Sequence, residues 1–364
     1  MNIVYVINSL GFGGAETQLY NLAKLIAKKV DRVSLVLLHD CAQVHKDNFE
    51  NIGIDVINLG MTRGVPNPFY IFKLRKIFDR INPDIIHTHI AQANIISRLA
   101  NFSKYKMICT AHNIKEGGNF IDFLYKITDS LCQLTTNVSQ EAVDRYNQEE
   151  LVKKNKCICI NNGVDTDLFD SSKVDVKNIA TIKVFSNNEF PTLLAVGRLC
   201  AQKNYDLMLD VISRVDANLI IVGEGGDELK INEKITSMKL AGKVLMYGTS
   251  SDLRGIYKYS DALLMTSLWE GLPIVLLEAM AMNVPIISTD VAGASEILRK
   301  SDCGLLLGSF DAVNISVQLT QFLSENKLME KGGVARDVAL NEYSMASVAK
   351  KWLRIYMDTS ACSS

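Results

Sequence analysis

Two glutamates eight positions apart, Glu270 and Glu278, bracket the segment Glu270-Gly-Leu-Pro-Ile-Val-Leu-Leu-Glu278. Pro273 suits the first turn of a helix, where its missing N–H costs nothing. The free backbone N–H groups of such a turn, backed by the helix dipole, make an anion site. Glu270 precedes the turn and Glu278 lies about one and a half turns inside it. The carboxylates therefore flank an anion at two depths, suited to hydroxyls on either side of a diphosphate. The competing reading makes Glu270 a solvated loop residue and Glu278 an incidental acid. A second group, Val196-Gly-Arg198-Leu-Cys-Ala-Gln-Lys203-Asn204, sets two cations directly after an apolar run. Preorganised cations stabilise negative charge that grows on a departing diphosphate; taken alone, Arg198 and Lys203 could equally be solvated.

The opening turn, Asn8-Ser-Leu-Gly-Phe-Gly13-Gly14-Ala-Glu16, joins the first apolar run to a helical pattern. Its glycines permit close backbone approach to a phosphate or sugar, or simply a tight turn. The dinucleotide fingerprint GxGxxG is not met there, because Glu16 holds the last glycine position; Gly223 and Gly225 fail it too, with Glu228 in that place. His87 and His89 form an HxH pair and His112 closes Thr110-Ala-His112, but no third ligand set has metal spacing. His112 at a strand end can donate to a sugar hydroxyl or phosphate, or be a packed or capping histidine. Asp165-Thr-Asp167 has DxD spacing, yet it sits among turn and capping residues, so a structural role and a metal-independent chemistry are expected. The segment Phe69 to Arg80 is basic and aromatic. It reads as a scaffold helix with snorkelling cations, with contact to an anionic membrane as the other reading.

These residues need a frame. Apolar runs at Ile3–Ile7, Val33–Leu38, Asp55–Leu59, Ile85–His87, Met107–Thr110 and Cys157–Ile160 alternate with helical patterns. The rhythm restarts at Leu193–Val196, Leu219–Val222, Val244–Tyr247, Leu263–Thr266 and Ile286–Ser288. Continuous rather than alternating apolar runs predict parallel strands covered on both faces. The polar stretch 170–189, with Ser171, Ser172, Asn178, Asn187 and Asn188, reads as the connection between two α/β domains. The expected division is 1–170, 171–345 and a last helix in 346–364, whose Val348, Trp352, Ile355 and Tyr356 pack against a domain surface. Two doubly wound domains would face a cleft at the carboxyl ends of their strands.

With 364 residues, two domains are the natural prior. Lys+Arg 39 against Asp+Glu 40 leaves a net charge of −1, without the basic excess of a nucleic-acid binder. The eight cysteines form no CxxC pair and read as buried apolar residues of a reduced, cytoplasmic protein. No charged leader precedes Ile3, so no signal peptide is expected. The most apolar stretch, 262–287, is broken by Glu270, Pro273, Glu278 and Pro285, which predicts a soluble chain.

Together these motifs resemble the retaining glycosyltransferases of family 4 with the GT-B fold, of the bacterial surface-polysaccharide type. Gly13-Gly14-Ala-Glu16 is similar to that family's opening turn. Pro83-Asp84-Ile-Ile-His87-Thr-His89, Thr110-Ala-His112 and Asn162-Gly163-Val164-Asp165 resemble its mid-domain signatures. Gly197-Arg198 with Lys203-Asn204, and Glu270 with Glu278 in the EGLP form, match its basic pair and its EX7E element. The resemblance implies that Arg198, Lys203, Glu270 and His112 are catalytic. It implies that Gly13, Gly14, Gly197, Gly271, Leu272, Pro273, Ile274, Val275 and Glu278 hold the donor, with Glu278 on the ribose. Tyr247, Gly248 and Ser250 would lie near the base, and Glu16 on the acceptor side. It implies a helix crossing back to the first domain.

The expected activity is transfer of a hexose or N-acetylhexosamine from a nucleotide sugar, with UDP as the default, and no metal or other cofactor. The expected acceptor is a glycan or polyprenyl-diphosphate-linked glycan in surface polysaccharide biosynthesis, lipopolysaccharide included. No nucleic acid is expected as partner, and the location expected is cytoplasmic, peripheral on the inner face of the membrane. Two alternatives stay open: a GT-B-like UDP-sugar epimerase and a non-catalytic sugar-nucleotide-binding protein.

Overall fold

The computed structural model describes residues 1–11, 13–62, 67–153, 156–174, 182, 185–186 and 189–361. Phe12 of the opening turn, Asn178, Asn187 and Asn188 of the expected connection, and Cys362 lie outside the described residues. Each apolar run expected as a strand is one. The chain forms two units, Met1–Gly163 with Met345–Ser364, and Val164–Ser344. The divisions thus fall at 163/164 and 344/345, against 170 and 345 read from the sequence.

In the first unit the strands are β1 (Asn2–Ile7), β2 (Arg32–Leu37), β3 (Asp55–Asn58), β4 (Ile85–His89), β5 (Lys106–Ala111), β6 (Leu134–Asn137) and β7 (Cys157–Cys159). They pair in parallel in the order β3-β2-β1-β4-β5-β6-β7. The order reverses beside β1, which makes a doubly wound sheet whose loops at the carboxyl ends can hold a ligand. One face of β1, through Ile3, Tyr5 and Ile7, packs with Leu19, Leu22 and Ile26 of the helix Gly14–Ile26. The other face, through Val4 and Val6, packs with Leu74, Ile77 and Phe78 of the helix Phe69–Ile81 and with Ala93 and Ala100 of Ala91–Asn101.

The last helix, Met345–Ala361, belongs to this unit. Val348, Trp352 and Tyr356 are buried among Tyr5 and Leu19, while Ile355 is only partly covered. Its polar anchor is specific. The Tyr356 hydroxyl lies 2.7 Å from His87 Nδ1 and 3.2 Å from the Tyr5 hydroxyl, and the Trp352 and His87 rings are 4.4 Å apart.

β6 was not foreseen, and its sequence Leu-Thr-Thr-Asn explains why. Thr135, Thr136 and Asn137 are fully buried, but their side chains have polar partners. Thr136 bonds Thr110 at 2.7 Å, and Thr135 Oγ1 accepts from Arg98 at 2.9 Å. Arg98 is itself fully buried without a carboxylate; Cys109 Sγ, the Tyr125 carbonyl and Thr128 Oγ1 accept three more of its protons. Buried polar groups are tolerated when bonded in this way.

In the second unit β8 (Thr192–Val196), β9 (Asn218–Val222), β10 (Val244–Gly248), β11 (Ala262–Met265), β12 (Ile286–Thr289) and β13 (Gly304–Leu307) form a parallel sheet ordered β10-β9-β8-β11-β12-β13. Again the order reverses, beside β8. β13 is a further strand the sequence reading missed. Among the described residues no helix is long and apolar enough to cross a membrane.

Candidate active site

In the second unit the site is built from loops at the carboxyl edge of the sheet. β8 runs into Gly197, whose φ of 155° is a region that side chains avoid. Its N–H bonds Val222 O at 3.0 Å, and Leu199 N bonds Glu224 O at 2.9 Å, so the loops after β8 and β9 stay paired. A Cβ on Gly223 would run into the Gly197 carbonyl, and one on Gly225 into that of Leu199. The Gly223-Glu-Gly225 segment that fails the dinucleotide fingerprint is thus explained by close backbone approach. Gly223 N also bonds Gly248 O at 2.8 Å, joining the loop after β10. Tyr247 and Gly248 end that strand, and Ser250 Oγ donates to Asp252 O at 2.8 Å just beyond it.

The loop 197–204 is tied to the loop after β11. Leu268 N donates to Gln202 O at 2.8 Å, Gln202 Nε2 to Trp269 O at 2.8 Å, and Thr266 Oγ1 lies 3.1 Å from Lys203 O. This brings two expected residues together: Lys203 Nζ lies 2.7 Å from Glu270 Oε1, with side-chain exposures of 17% and 9%. Arg198 is exposed and, among the described residues, has no hydrogen-bond or ion-pair partner.

Behind that pair, Pro273 is the residue preceding the helix Ile274–Ala281. Gly271 and Leu272 are held from the other side, since a Cβ on Gly293 would lie 2.5 Å from Gly271 O and 2.8 Å from Leu272 Cα. Gly293 is the second residue of the helix Ala292–Lys300 after β12 and carries no motif signal of its own. Glu278 is buried within its helix, and its Oε2 lies 3.0 Å from the Tyr257 hydroxyl. Burial pushes the Glu278 carboxyl up to about 7, and the Tyr257 hydrogen bond pulls partly back. Tyr257 was missed because it sits on the short helix Arg254–Lys258, where spacing reveals nothing.

In the first unit Gly13 precedes the helix Gly14–Ile26, and the Glu16 side chain folds back against it. The histidines divide into two roles. His87 is a core residue, bonded to Tyr356 and to Thr110 Oγ1 at 2.7 Å each. His89 Nδ1 and His112 Nε2 are 2.9 Å apart, leaving His89 Nε2 and His112 Nδ1 buried without a partner. Burial lowers the His112 ring to about 4 and holds His89 well below the ordinary range, so both are neutral at pH 7. Glu116 accepts from His112 N at 2.6 Å and from the Tyr125 hydroxyl at 3.0 Å, and burial raises it to about 7. No spacing rule singled Glu116 out. Asp165, at the start of the second unit, spends its Oδ1 on the N–H groups of Asp167 and Leu168, at 3.2 and 3.1 Å, as a turn residue does; Asp167 is exposed.

Comparison with known proteins adds to this geometry. Residues 12–168 match the family described as Glycosyltransferase Family 4, and residues 177–334 match Glycosyl transferases group 1. The chain is 25% identical over 300 residues to N-acetyl-alpha-D-glucosaminyl L-malate synthase of Bacillus anthracis, covering 79% of this chain and 77% of that one. It is 26% identical over 310 residues to the UDP-Gal:alpha-D-GlcNAc-diphosphoundecaprenol alpha-1,3-galactosyltransferase of Escherichia coli, covering 79% of each. The crystal structure of Anabaena HepE in complex with UDP and glucose superposes with a TM-score of 0.85 at 19% identity, over 98% of this chain and 99% of that one. Both parallel-sheet halves and both family matches agree, and the chain belongs to glycosyltransferase family 4, with the two Rossmann-like domains of a GT-B enzyme.

Proposed function

We propose that this glycosyltransferase is a retaining enzyme that moves a hexose or N-acetylhexosamine from a UDP-sugar to a hydroxyl of a polyprenyl-diphosphate-linked or lipopolysaccharide glycan. The observation that carries the donor side is the Lys203–Glu270 ion pair at the carboxyl edge of the second sheet, set before the helix that carries Glu278. In this reading Arg198 and Lys203 neutralise the diphosphate, and the first turn after Pro273 adds backbone N–H groups. Glu270 and the backbone at 271–275 hold the sugar and phosphate, and Glu278 accepts from the ribose hydroxyls. Tyr247, Gly248 and Ser250 lie by the base.

Because the leaving diphosphate gains charge as the glycosidic bond breaks, fixed cations lower the barrier more than they strengthen binding. Gly13, Gly14 and His112 serve the donor from the first unit, and Glu16 the acceptor. With two cations and a helix start on the diphosphate, a metal has little charge left to neutralise, so the reaction needs none.

The support for UDP and for a lipid-linked acceptor is the Escherichia coli relative, whose name gives both. The name of the Bacillus anthracis relative gives an L-malate product instead, so the transfer assays must include acceptors of both kinds. The test is a thermal-shift screen of nucleotide sugars, followed by transfer assays with the stabilising donor. A ligand that binds only the folded state raises the melting temperature. Stabilisation by a UDP-sugar, and UDP release that accelerates with a lipid-linked glycan, are expected. UDP release that ignores every acceptor, or stabilisation by no nucleotide sugar, would contradict the proposal.

A further inference from the structure

Tyr257 stands where three parts of the second unit meet. It is fully buried on the short helix Arg254–Lys258, and its ring packs edge-on against Phe169 with the centroids 6.3 Å apart. That helix follows the loop of Gly248 and Ser250 and is pinned there, since Asp252 Oδ1 accepts from Arg254 N at 3.0 Å and from Arg254 Nε at 2.8 Å. The Tyr257 hydroxyl reaches the helix Ile274–Ala281 at two points, Val275 O at 3.1 Å and Glu278 Oε2 at 3.0 Å. It therefore fixes the Glu278 side chain against the first turn of its own helix. Glu278 Oε1 has no hydrogen-bond partner among the described residues and is the oxygen left for an incoming hydroxyl.

A phenol carries a single proton and cannot serve both acceptors at full strength. The charge of Glu278 decides between them. An ionised carboxylate is the stronger acceptor and draws the proton to Oε2. A protonated carboxyl instead donates to the phenol oxygen, and the phenol proton turns to Val275 O. In both states the buried carboxyl keeps a partner, which an apolar side chain at this position would deny it. Burial pushes Glu278 up to about 7, with the Tyr257 bond pulling partly back, so both states are populated near neutral pH.

Neighbouring charges do not compete for this carboxyl. Arg254 is held by Asp252, and Lys258 reaches Val174 O. The helix Leu328–Glu342 packs on Ile274–Ala281. Its Arg336 donates to the carbonyls of Phe169 and Ala281 and pairs with Asp170, and its Lys331 pairs with Asp302. Its acids Glu330, Asp337 and Glu342 are exposed. The strands β11 and β12 beneath bring no ionisable side chain.

We propose that Tyr257 is a positioning residue for ribose recognition. Its hydroxyl holds the Glu278 side chain in place and passes its hydrogen bond from Val275 O to Oε2 when that carboxyl becomes the anion that accepts from the ribose. The inference rests on the ribose role given to Glu278 above, and one experiment separates the two. It is calorimetry of UDP and 2′-deoxy-UDP with the full chain at pH values on both sides of about 7. The ratio of the two dissociation constants cancels the titration of the diphosphate, which both ligands share. In wild type the preference for UDP should grow as pH rises through that range. Tyr257→Phe should lower the preference at neutral pH by about three- to tenfold, the worth of one hydrogen bond. It should also move the growth to higher pH, because the bond that favours the anion is gone. In Glu278→Gln the preference should be small and flat with pH, and adding Tyr257→Phe should change it no further. A loss of packing alone would weaken both nucleotides equally. If Tyr257→Phe unfolds, 3-fluorotyrosine in place of Tyr257 keeps the bond with a more acidic hydroxyl and should move the growth to lower pH. A wild-type preference and pH course in the Tyr257 variant, with Glu278→Gln impaired, would overturn the inference and leave the ribose role standing. A wild-type preference in Glu278→Gln would overturn both.

Discussion

Lys203 Nζ and Glu270 Oε1, 2.7 Å apart, join two motifs that are 67 residues apart in the chain. The cation comes from the loop after β8 and the carboxylate from the loop after β11, neighbouring strands of one sheet. An ion pair this well covered is costly to break from one side, because the remaining charge stays buried. Lys203→Ala and Glu270→Gln should each destabilise the protein by about 3 kcal/mol, and the double variant by less than the sum. Denaturant unfolding of the cycle checks this. Additive losses would mean that the two side chains do not depend on one another.

Glu278 gives a pH-dependent prediction. Its carboxyl is raised by burial from the ordinary 4.5 to about 7, so between those values the folded state keeps a proton that the unfolded chain has lost. Its contribution to stability is therefore most favourable at low pH and falls as pH rises from about 4.5 to about 7. Glu278→Gln should lose that slope, which should therefore appear as the difference between the two stability curves, whatever Glu116 and the histidines contribute to both. Parallel curves would refute the raised carboxyl. On the ligand side, Glu278→Gln should weaken UDP more than 2′-deoxy-UDP, by roughly 1.5–3 kcal/mol for the lost charge-assisted bond. Equal losses by calorimetry would remove Glu278 from the ribose.

The last helix makes a separate prediction. Tyr356→Phe removes the hydroxyl that lies 2.7 Å from His87 Nδ1 and leaves that buried nitrogen unpartnered. A loss of about 1–3 kcal/mol is expected, with UDP affinity unchanged. A variant as stable as wild type would take the bond out of the account.

Much of this frame was legible because parallel strands covered on both faces must be continuous apolar runs, as Ile3–Ile7 and Leu219–Val222 are. β6 was not legible, because Thr135, Thr136 and Asn137 are buried through hydrogen bonds that only the fold supplies. At the site, Arg198, Lys203, Glu270 and Glu278 stood out by spacing, but the ion pair did not, since it depends on which strands become neighbours. Tyr257 and Gly293 stayed hidden because their importance lies in what they touch. The HxH pair looked like a single unit, yet adjacent β4 positions of equal side carry His87 into the core network with Tyr356 and His89 into its pairing with His112.

Chelation tests the role given to the aspartates. Asp165 already accepts two backbone N–H bonds, so Asp165→Asn/Asp167→Asn should alter stability more than chemistry. Initial transfer rates after exhaustive EDTA treatment should equal those with added Mg²⁺ or Mn²⁺. Activity that disappears on chelation and returns with the ion would make the aspartates site residues.

The most direct test of the donor-site account is Arg198→Ala, assayed for turnover and for donor affinity on the same preparation. Arg198 is exposed and, among the described residues, unpartnered, so its removal should leave the melting temperature unchanged. If its charge meets the departing diphosphate, kcat with saturating donor and acceptor should fall by about 10²–10³, while the donor dissociation constant changes far less. Wild-type turnover in this variant would contradict the account.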